Sequence, residues 1–475
     1  MIRDVLAHST IYSLAIILSR GMIMIALLVV ALFLPPADYG ALVMIMTIGF
    51  LVNVTVALEI SQGLARYYAG ASKTDKNIYS STAWWFTVLM YSLFIGASEF
   101  IASYLCQLIL GDDRYLNAFR YGLAVMSLNG IYLFIQTQLR LAFRSQDYLI
   151  TSLIYAVGSL GGSIWLGQIV DPALEGVILG QLLGVSVAIL VGVWQLHTNI
   201  NLVFDSNKLK KLLQFSLPLV PASLSLFLSM YLSRIILNSM ASLEEVGIFG
   251  FASQIAGMAV LAIVGIQAAL TPLIMERHRE PKTPEKLARL FEGFTAFTIC
   301  VCLVLGLFAR EFIYLIAKPE YLAAAPLVLV LGSAVIINQM YIFAPGMSIA
   351  KKTIWQLWIS ITVAVVSILT NFWFIDMWGI YGAAFATLLS AFLFSLMWFT
   401  ASQSLYPIPV RWKLIVIAML SGTAVGVVAY FMVDQISTLD ILIKVIMILG
   451  TAMLFFFIKL IEIADISRVL TMIKR

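Results

Sequence analysis

Two arginines lie within stretches that are otherwise long and apolar enough to cross a bilayer. Arg20 stands close to the middle of the stretch 9–34, and Arg234 stands near the end of the stretch 212–239. A guanidinium at bilayer depth costs about 2.5 kcal/mol or more, so such an arginine normally faces a protein interior or a watery cavity and marks a functional path. Guanidinium groups bind phosphate through two parallel hydrogen bonds. The pattern therefore predicts a substrate-binding site for an anion within the membrane.

Each arginine also has an alternative interpretation. Either arginine could pair with a buried carboxylate such as Glu59 or Glu99 and only support packing. Arg234 lies about five residues, roughly 8 Å, from the end of its stretch. Its side chain could therefore extend to the membrane interface. Both alternatives predict that the arginine has no contact with cargo.

Polar side chains on other apolar stretches extend the candidate site. Asn53 and Gln254 could hydrogen-bond a hydroxyl-rich substrate, or they could simply join helices to each other. Glu59 and Glu99 are candidates for ion coupling, although carboxylates at such depths are often interfacial or paired. The chain contains no GxxxxGK[ST], HExxH or CxxC motif. It therefore indicates neither an ATPase nor a metalloenzyme, and it predicts no cofactor, no metal site and no catalytic residue.

The composition predicts an all-α integral membrane protein. Hydrophobic residues make up 62% of the 475 residues and charged residues 11%, against about 45–50% and 25% in soluble chains. A spanning helix needs about 20 mostly apolar residues, and no strand-like alternation is present. Fourteen stretches qualify: 9–34, 40–64, 82–109, 116–139, 148–170, 173–195, 212–239, 246–275, 291–316, 324–349, 354–375, 380–402, 411–433 and 440–463.

Charges between the stretches predict the orientation. With both termini placed in the cytoplasm, nearly all lysines and arginines of the breaks lie on the cytoplasmic side. The outer breaks contain only Arg114 and Lys318 among many acidic residues. Basic loops normally stay in the cytoplasm. The sequence therefore predicts a multi-pass membrane protein with both termini in the cytoplasm.

An internal repeat divides the chain. The turn 35–40 before the second stretch and the turn 242–247 before the eighth both carry an acid and end in glycine, at an offset of 207 residues. Six spans per repeat predict two lobes of the same orientation, at residues 1–205 and 206–405, followed by two additional helices at 406–475. Gly176, Gly180 and Gly184 lie at GxxxG spacing and predict close packing of the sixth helix.

Several motifs resemble polysaccharide flippases of the Wzx and polysaccharide-transporter type, in the superfamily that also contains MATE exporters and lipid II flippases. They are the turn Pro35–Gly40, the segment Gln62–Tyr68, the segment Phe215–Pro221, the segment Glu245–Phe249 and Pro272. Their order, the repeat and the two extra helices extend the resemblance over nearly the whole chain.

The resemblance implies a non-enzymatic transporter with a central cleft that opens alternately to each side. Its implied cargo is a polyprenyl-pyrophosphate-linked oligosaccharide for O-antigen, lipopolysaccharide or exopolysaccharide synthesis, moved to the outer leaflet of the bacterial cytoplasmic membrane. A polysaccharide polymerase and glycosyltransferases are the implied partners, and a monomer is expected. The alternatives are a cation-coupled MATE-like multidrug antiporter and a lipid II flippase. A drug antiporter should carry an acid in the first or seventh stretch, and neither stretch contains one.

Overall fold

The computed structural model of the protein describes residues 2–68, 70–197, 200–350, 352–432 and 437–460, and all regular structure in these ranges is helical. The α-helices are α1 (Ile2–Val30), α2 (Pro36–Thr55), α3 (Ile60–Tyr68), α4 (Lys73–Phe100), α5 (Ala102–Leu110), α6 (Leu116–Leu141), α7 (Ser145–Ile169), α8 (Ala173–Leu196), α9 (Ser206–Ser216), α10 (Val220–Met240), α11 (Leu243–Arg277), α12 (Thr283–Leu307), α13 (Ala309–Ile316), α14 (Ala325–Gln339), α15 (Gly346–Ile349), α16 (Thr353–Leu405), α17 (Trp412–Met432) and α18 (Thr438–Phe457). Short 3-10 turns lie at Asp113–Tyr115, Leu217–Leu219, Pro319–Ala324 and Met340–Phe343.

The predicted all-α membrane architecture is confirmed. Within the described ranges, 11 helices are long and apolar enough to cross a membrane, or 12 if the bent pair Ser206–Ser225 and Met230–Met240 forms one span. The 53 residues of α16 bend at Gly379, where φ is 54°. A helix of that length measures about 80 Å and can cross a bilayer twice. With α1 and both arms of α16 included, each of the fourteen predicted stretches contains a helix.

The second predicted span, 40–64, is not one continuous helix. The helix α2 ends at Thr55 and α3 begins at Ile60. Between them, Leu58 and Glu59 have φ angles of 51° and 53°, a left-handed conformation that costs a residue with a side chain about 1–2 kcal/mol. Apolar residues continue across the break, so hydrophobicity alone predicted a continuous helix. The break places Glu59 at a helix junction.

The chain forms two compact units, residues 1–250 and 251–475. In the first unit, the predicted close packing of the sixth spanning helix is confirmed. A Cβ atom at Gly180 of α8 would lie 2.1 Å from the Gly162 carbonyl carbon of α7, and one at Gly176 would lie 2.2 Å from the Leu166 oxygen. Only glycine allows this approach of two backbones. The predicted lobe boundaries at 206 and 406 stay predictions.

In the second unit, two ion pairs attach the last two helices. The Glu292 side chain of α12, which is 2% exposed, accepts hydrogen bonds from the Arg411 Nε at 3.0 Å and Nη2 at 2.6 Å. Arg411 also donates to the Lys459 carbonyl oxygen at 2.9 Å, beyond the end of α18. The Lys444 Nζ of α18 lies 2.5 Å from the Glu311 Oε1 of α13. Glu292 and both members of the Lys444–Glu311 pair are largely buried. Removing one partner would leave a buried charge unpaired and is strongly destabilising, so α17 and α18 are integral parts of this unit.

Candidate functional site

One face of α10 carries an aromatic stripe that ends in Arg234. Phe227, Tyr231 and Arg234 stand at i, i+4 and i+7, a spacing that aligns side chains on one side of a helix. The rings of Phe227 and Tyr231 stack with centroids 5.4 Å apart. Phe50 of α2 joins them, 6.1 Å from Phe227 and 5.1 Å from Tyr231. We call Phe50, Phe227 and Tyr231 the aromatic wall.

The Arg234 guanidinium lies at the end of the aromatic wall. Its Cζ is 5.2 Å from the centre of the Tyr231 ring, within the range of a cation–π interaction. Tyr39 of α2 is also within electrostatic reach of the guanidinium. The side chain is half-buried. Among the described residues, no carboxylate lies within 4 Å of it and no acceptor takes a hydrogen bond from it.

An unpaired, half-buried guanidinium in an apolar helix predicts an anionic ligand. Cation–π contact offsets part of the desolvation cost, by about 0.5–2 kcal/mol, but leaves the hydrogen-bonding capacity of the planar group unused. A phosphate or carboxylate of a substrate would use it. The alternative that Arg234 pairs with a carboxylate of the protein has no support in the described part of the chain.

The two glycines that the repeat aligns contact each other beside this site. A Cβ atom at Gly40 would lie 1.8 Å from the Leu243 carbonyl oxygen, and one at Gly247 would lie 1.9 Å from the Pro36 carbonyl oxygen. The first turns of α2 and α11 therefore cross backbone to backbone, in a nearly symmetric contact. Because Tyr39 precedes Gly40, the Arg234 guanidinium lies close to this crossing.

Asn53 and Glu59 lie further along the same segment. The Tyr91 hydroxyl of α4 donates to the Asn53 Oδ1 at 3.4 Å. Tyr91 is 2% exposed and fills space that a side chain at Gly130 of α6 would occupy. Glu59 is half-buried at the α2–α3 break, within electrostatic reach of Tyr91. Asn53 therefore makes the helix-joining contact that the sequence offered as its alternative role, and its substrate role stays a prediction.

The remaining predicted site residues, Glu99, Gln254 and Arg20, lie on three different helices. Glu99, at the end of α4, forms an ion pair with Arg120 of α6, with 2.9 Å between Oε1 and Nε. Both side chains are about half exposed, at 53% and 44%. Gln254 is half-buried on α11 in the second unit. The backbone of Arg20 belongs to α1, but its side chain lies outside the described residues. The substrate-binding roles of Arg20 and Gln254 stay predictions.

The sequence analysis missed the residues that surround Arg234. Phe227 and Tyr231 could have been found from their spacing to the arginine, since positions seven and three residues before it share its helix face. Phe50 and Tyr39 come from another helix, and nothing local in the sequence connects them to Arg234. Lys444 was also missed, although a lysine within the apolar helix α18 is itself a signal of a buried partner.

Comparisons with known proteins agree with this architecture. Residues 29–326 match the family described as polysaccharide biosynthesis protein, and the chain belongs to this family. No curated protein sequence matches the chain. Among solved structures, the lipid II flippase MurJ in an inward closed conformation has a TM-score of 0.72 at 15% identity, covering 95% of this chain and 99% of MurJ.

Two transporters of the MOP superfamily share the fold as well. An inward-facing multidrug resistance MATE family transporter has a TM-score of 0.63 at 15% identity, over 83% of this chain and 94% of its own. A transporter from Pyrococcus furiosus, for which a binding pocket of reverse polarity suggests a different function, has a TM-score of 0.54 at 15% identity, over 84% and 95%. The fold is thus shared with membrane transporters and a flippase.

Proposed function

We propose that this protein is a flippase that moves a polyprenyl-pyrophosphate-linked oligosaccharide across the bacterial cytoplasmic membrane by alternating access, for surface polysaccharide assembly. The observation that carries the proposal is the Arg234 guanidinium, half-buried on the aromatic wall and without a carboxylate partner among the described residues. Its charge suits a pyrophosphate that must leave water. Aromatic faces beside it suit the apolar faces of sugar rings or the first prenyl units.

Two further observations support this class of substrate. The family description concerns polysaccharide biosynthesis, which agrees with a glycan cargo. The stretches 9–34 and 212–239 contain arginine but no acidic residue. A cation-coupled exporter of cationic drugs needs a carboxylate in the substrate path, so the sign of the charge argues against the MATE-like alternative.

The proposal can be tested with the purified protein in proteoliposomes. A fluorescent polyprenyl-pyrophosphate oligosaccharide should become accessible to an outside quencher faster than in empty liposomes, whereas the same glycan on a lipid without phosphate should not. Lipid II serves as the second substrate, because MurJ shares the fold. Faster movement of lipid II than of the oligosaccharide lipid would favour the alternative that this protein is a lipid II flippase. Transport of an organic cation alone would overturn the proposal.

The proposed topology predicts which residues face each side of the membrane. Cysteines introduced at Asp113 and Glu244 should react with an impermeant maleimide added to intact cells, and a cysteine at Lys282 should react only after permeabilisation. The native Cys106 thiol near the first position should stay silent, because its side chain is fully buried. The opposite labelling pattern would overturn the orientation argued from the loop charges.

The two acidic candidates for ion coupling, Glu59 and Glu99, should differ in how strongly their substitution lowers export. We expect Glu59→Gln to lower export severalfold, because this carboxylate is half-buried and unpaired among the described residues. Glu99→Gln should leave export within about twofold of the wild type, since an exposed pair such as Glu99–Arg120 contributes about 0–1 kcal/mol. Export per folded molecule, measured at several pH values, is the readout. Equal losses in both variants would contradict a coupling role specific to Glu59.

A further inference from the structure

The connector between α8 and α9 is held in a fixed position against α4. The Asn201 amide donates to the Ser81 Oγ at 2.8 Å, and the Trp85 Nε1 donates to the Asn201 carbonyl oxygen at 3.0 Å. The Asp205 amide donates to the Thr82 Oγ1 at 3.1 Å. These bonds fix a short segment that exposes three consecutive apolar side chains. The exposed fractions are 91% for Leu202, 43% for Val203 and 54% for Phe204.

The next helix, α9, presents an open apolar groove. One face of α9 is anchored, because Leu212 is fully buried and its backbone lies against Gly63, where a Cβ atom would be 2.7 Å from the Leu212 oxygen. An adjoining side of the helix forms a groove of about 350 Å³. Its lining consists of Leu209, Leu213 and Leu217 with Ser206, Lys210 and Gln214. Three leucines at spacing i, i+4 and i+8 make a continuous apolar floor.

The lysines of α9 fall into two groups. Lys208 is used within the protein, since its Nζ pairs with Asp75 and lies 4.6 Å from the centre of the Tyr79 ring. Lys210 and Lys211 are exposed. Within the described part of the chain, neither has a carboxylate within 4 Å. Lys210 therefore places an exposed positive charge at the groove, and the neighbouring Lys211 adds a second one within electrostatic reach of Asp75.

We propose that α9 and the connector 200–205 form a binding surface for anionic phospholipid. The acyl chain lies along the leucine floor and the phosphate contacts Lys210 and Lys211. Two observations favour lipid over a protein partner. The surface joins α8 directly to α10, two helices of the membrane-spanning set, so it lies at the level of the headgroups. It also combines exposed apolar side chains with lysines, the composition of helices that lie in a bilayer interface.

Lipid titration of the full-length protein tests this surface. The protein in neutral detergent is titrated with phosphatidylglycerol or phosphatidylcholine, and bound lipids are counted by native mass spectrometry. The wild type should prefer phosphatidylglycerol. Because a lysine near an anionic surface contributes about 1 kcal/mol, K210Q and K211Q should each lower that preference by about fivefold. Equal binding of the two lipids by the wild type would overturn the proposal.

Matched controls separate this surface from general charge effects. Lys282 and Lys286 are both exposed, so K282Q with K286Q removes the same charge elsewhere and should keep the preference. An equal loss in this control would overturn the assignment to α9. L217S should weaken phosphatidylglycerol binding, because Leu217 is 53% exposed on the groove floor. Full displacement of the lipid by millimolar inorganic phosphate would show a simple anion site and contradict a lipid surface, as would displacement by an acidic peptide.

Discussion

Replacing Arg234 with alanine should lower export of the lipid-linked oligosaccharide, per folded molecule, by about a hundredfold. The magnitude follows from the cost of removing one partner of a desolvated, hydrogen-bonded charge pair, about 2–5 kcal/mol. The protein itself should fold normally, because the guanidinium contacts the Tyr231 ring but has no ion-pair partner among the described residues. The measurement is the rate of substrate movement in proteoliposomes, divided by the amount of monodisperse protein.

Further variants at Arg234 separate charge from geometry. Arg234→Lys should recover part of the activity, since lysine keeps the charge but lacks the planar fork that binds two phosphate oxygens. Arg234→Gln should behave like the alanine variant. Arg120→Ala is the matched control, because it removes a guanidinium from the half-exposed pair with Glu99. If Arg234→Ala lowers folded protein and export in the same proportion, the arginine supports the fold and does not contact the substrate.

The same series applies to Arg20, whose role rests on the sequence. Its position near the middle of the stretch 9–34 predicts a place in the substrate path. Arg20→Ala should abolish export at unchanged protein level if the guanidinium binds the pyrophosphate. Partial rescue by Arg20→Lys and none by Arg20→Gln are expected for the same physical reason as at Arg234. An unchanged export per folded molecule in Arg20→Ala would remove Arg20 from the substrate path.

Charge in an apolar stretch is the feature that sequence alone identifies well. Arg234 was found in this way because a cation at bilayer depth needs an explanation. The aromatic wall was not found, since phenylalanine and tyrosine are common in membrane helices and Phe50 reaches Tyr231 only through the packing of α2 on α10. Contacts between helices distant in sequence depend on tertiary structure.

Local backbone conformation and ion pairing are two further features that could not be predicted from the sequence. The residues around Leu58 are apolar enough to continue a helix, so only the left-handed φ angles of Leu58 and Glu59 reveal the break. The ion pair between Arg411 and Glu292 was not predicted either. The two hydrogen bonds from the Arg411 guanidinium to the Oε2 of the buried Glu292 depend on the packing of α17 on α12. Hydrophobicity locates the apolar stretches, but it gives neither the breaks within them nor the partners of their charged residues.

Substituting Gly40 with alanine should strongly destabilise the folded protein, because the new Cβ atom would lie 1.8 Å from the Leu243 carbonyl oxygen. A backbone oxygen inside a helix cannot rotate away, so α2 and α11 must separate. Inserting one methyl group into such a contact costs about 1–3 kcal/mol, occasionally more. Denaturant unfolding of the detergent-solubilised protein, followed by intrinsic tryptophan fluorescence, measures the loss of stability.

The symmetry of the crossing provides a second, sharper expectation. Gly247→Ala should cost about as much as Gly40→Ala, since its Cβ atom would lie 1.9 Å from the Pro36 oxygen. Once one alanine has separated the two helices, the second alanine has more space. The double variant should therefore lose less stability than the sum of the losses in the two single variants. Gly96→Ala is the control, because nothing lies within 4 Å of a Cβ atom there. If Gly40→Ala were as stable as Gly96→Ala, the backbone contact between α2 and α11 would not exist in the folded protein.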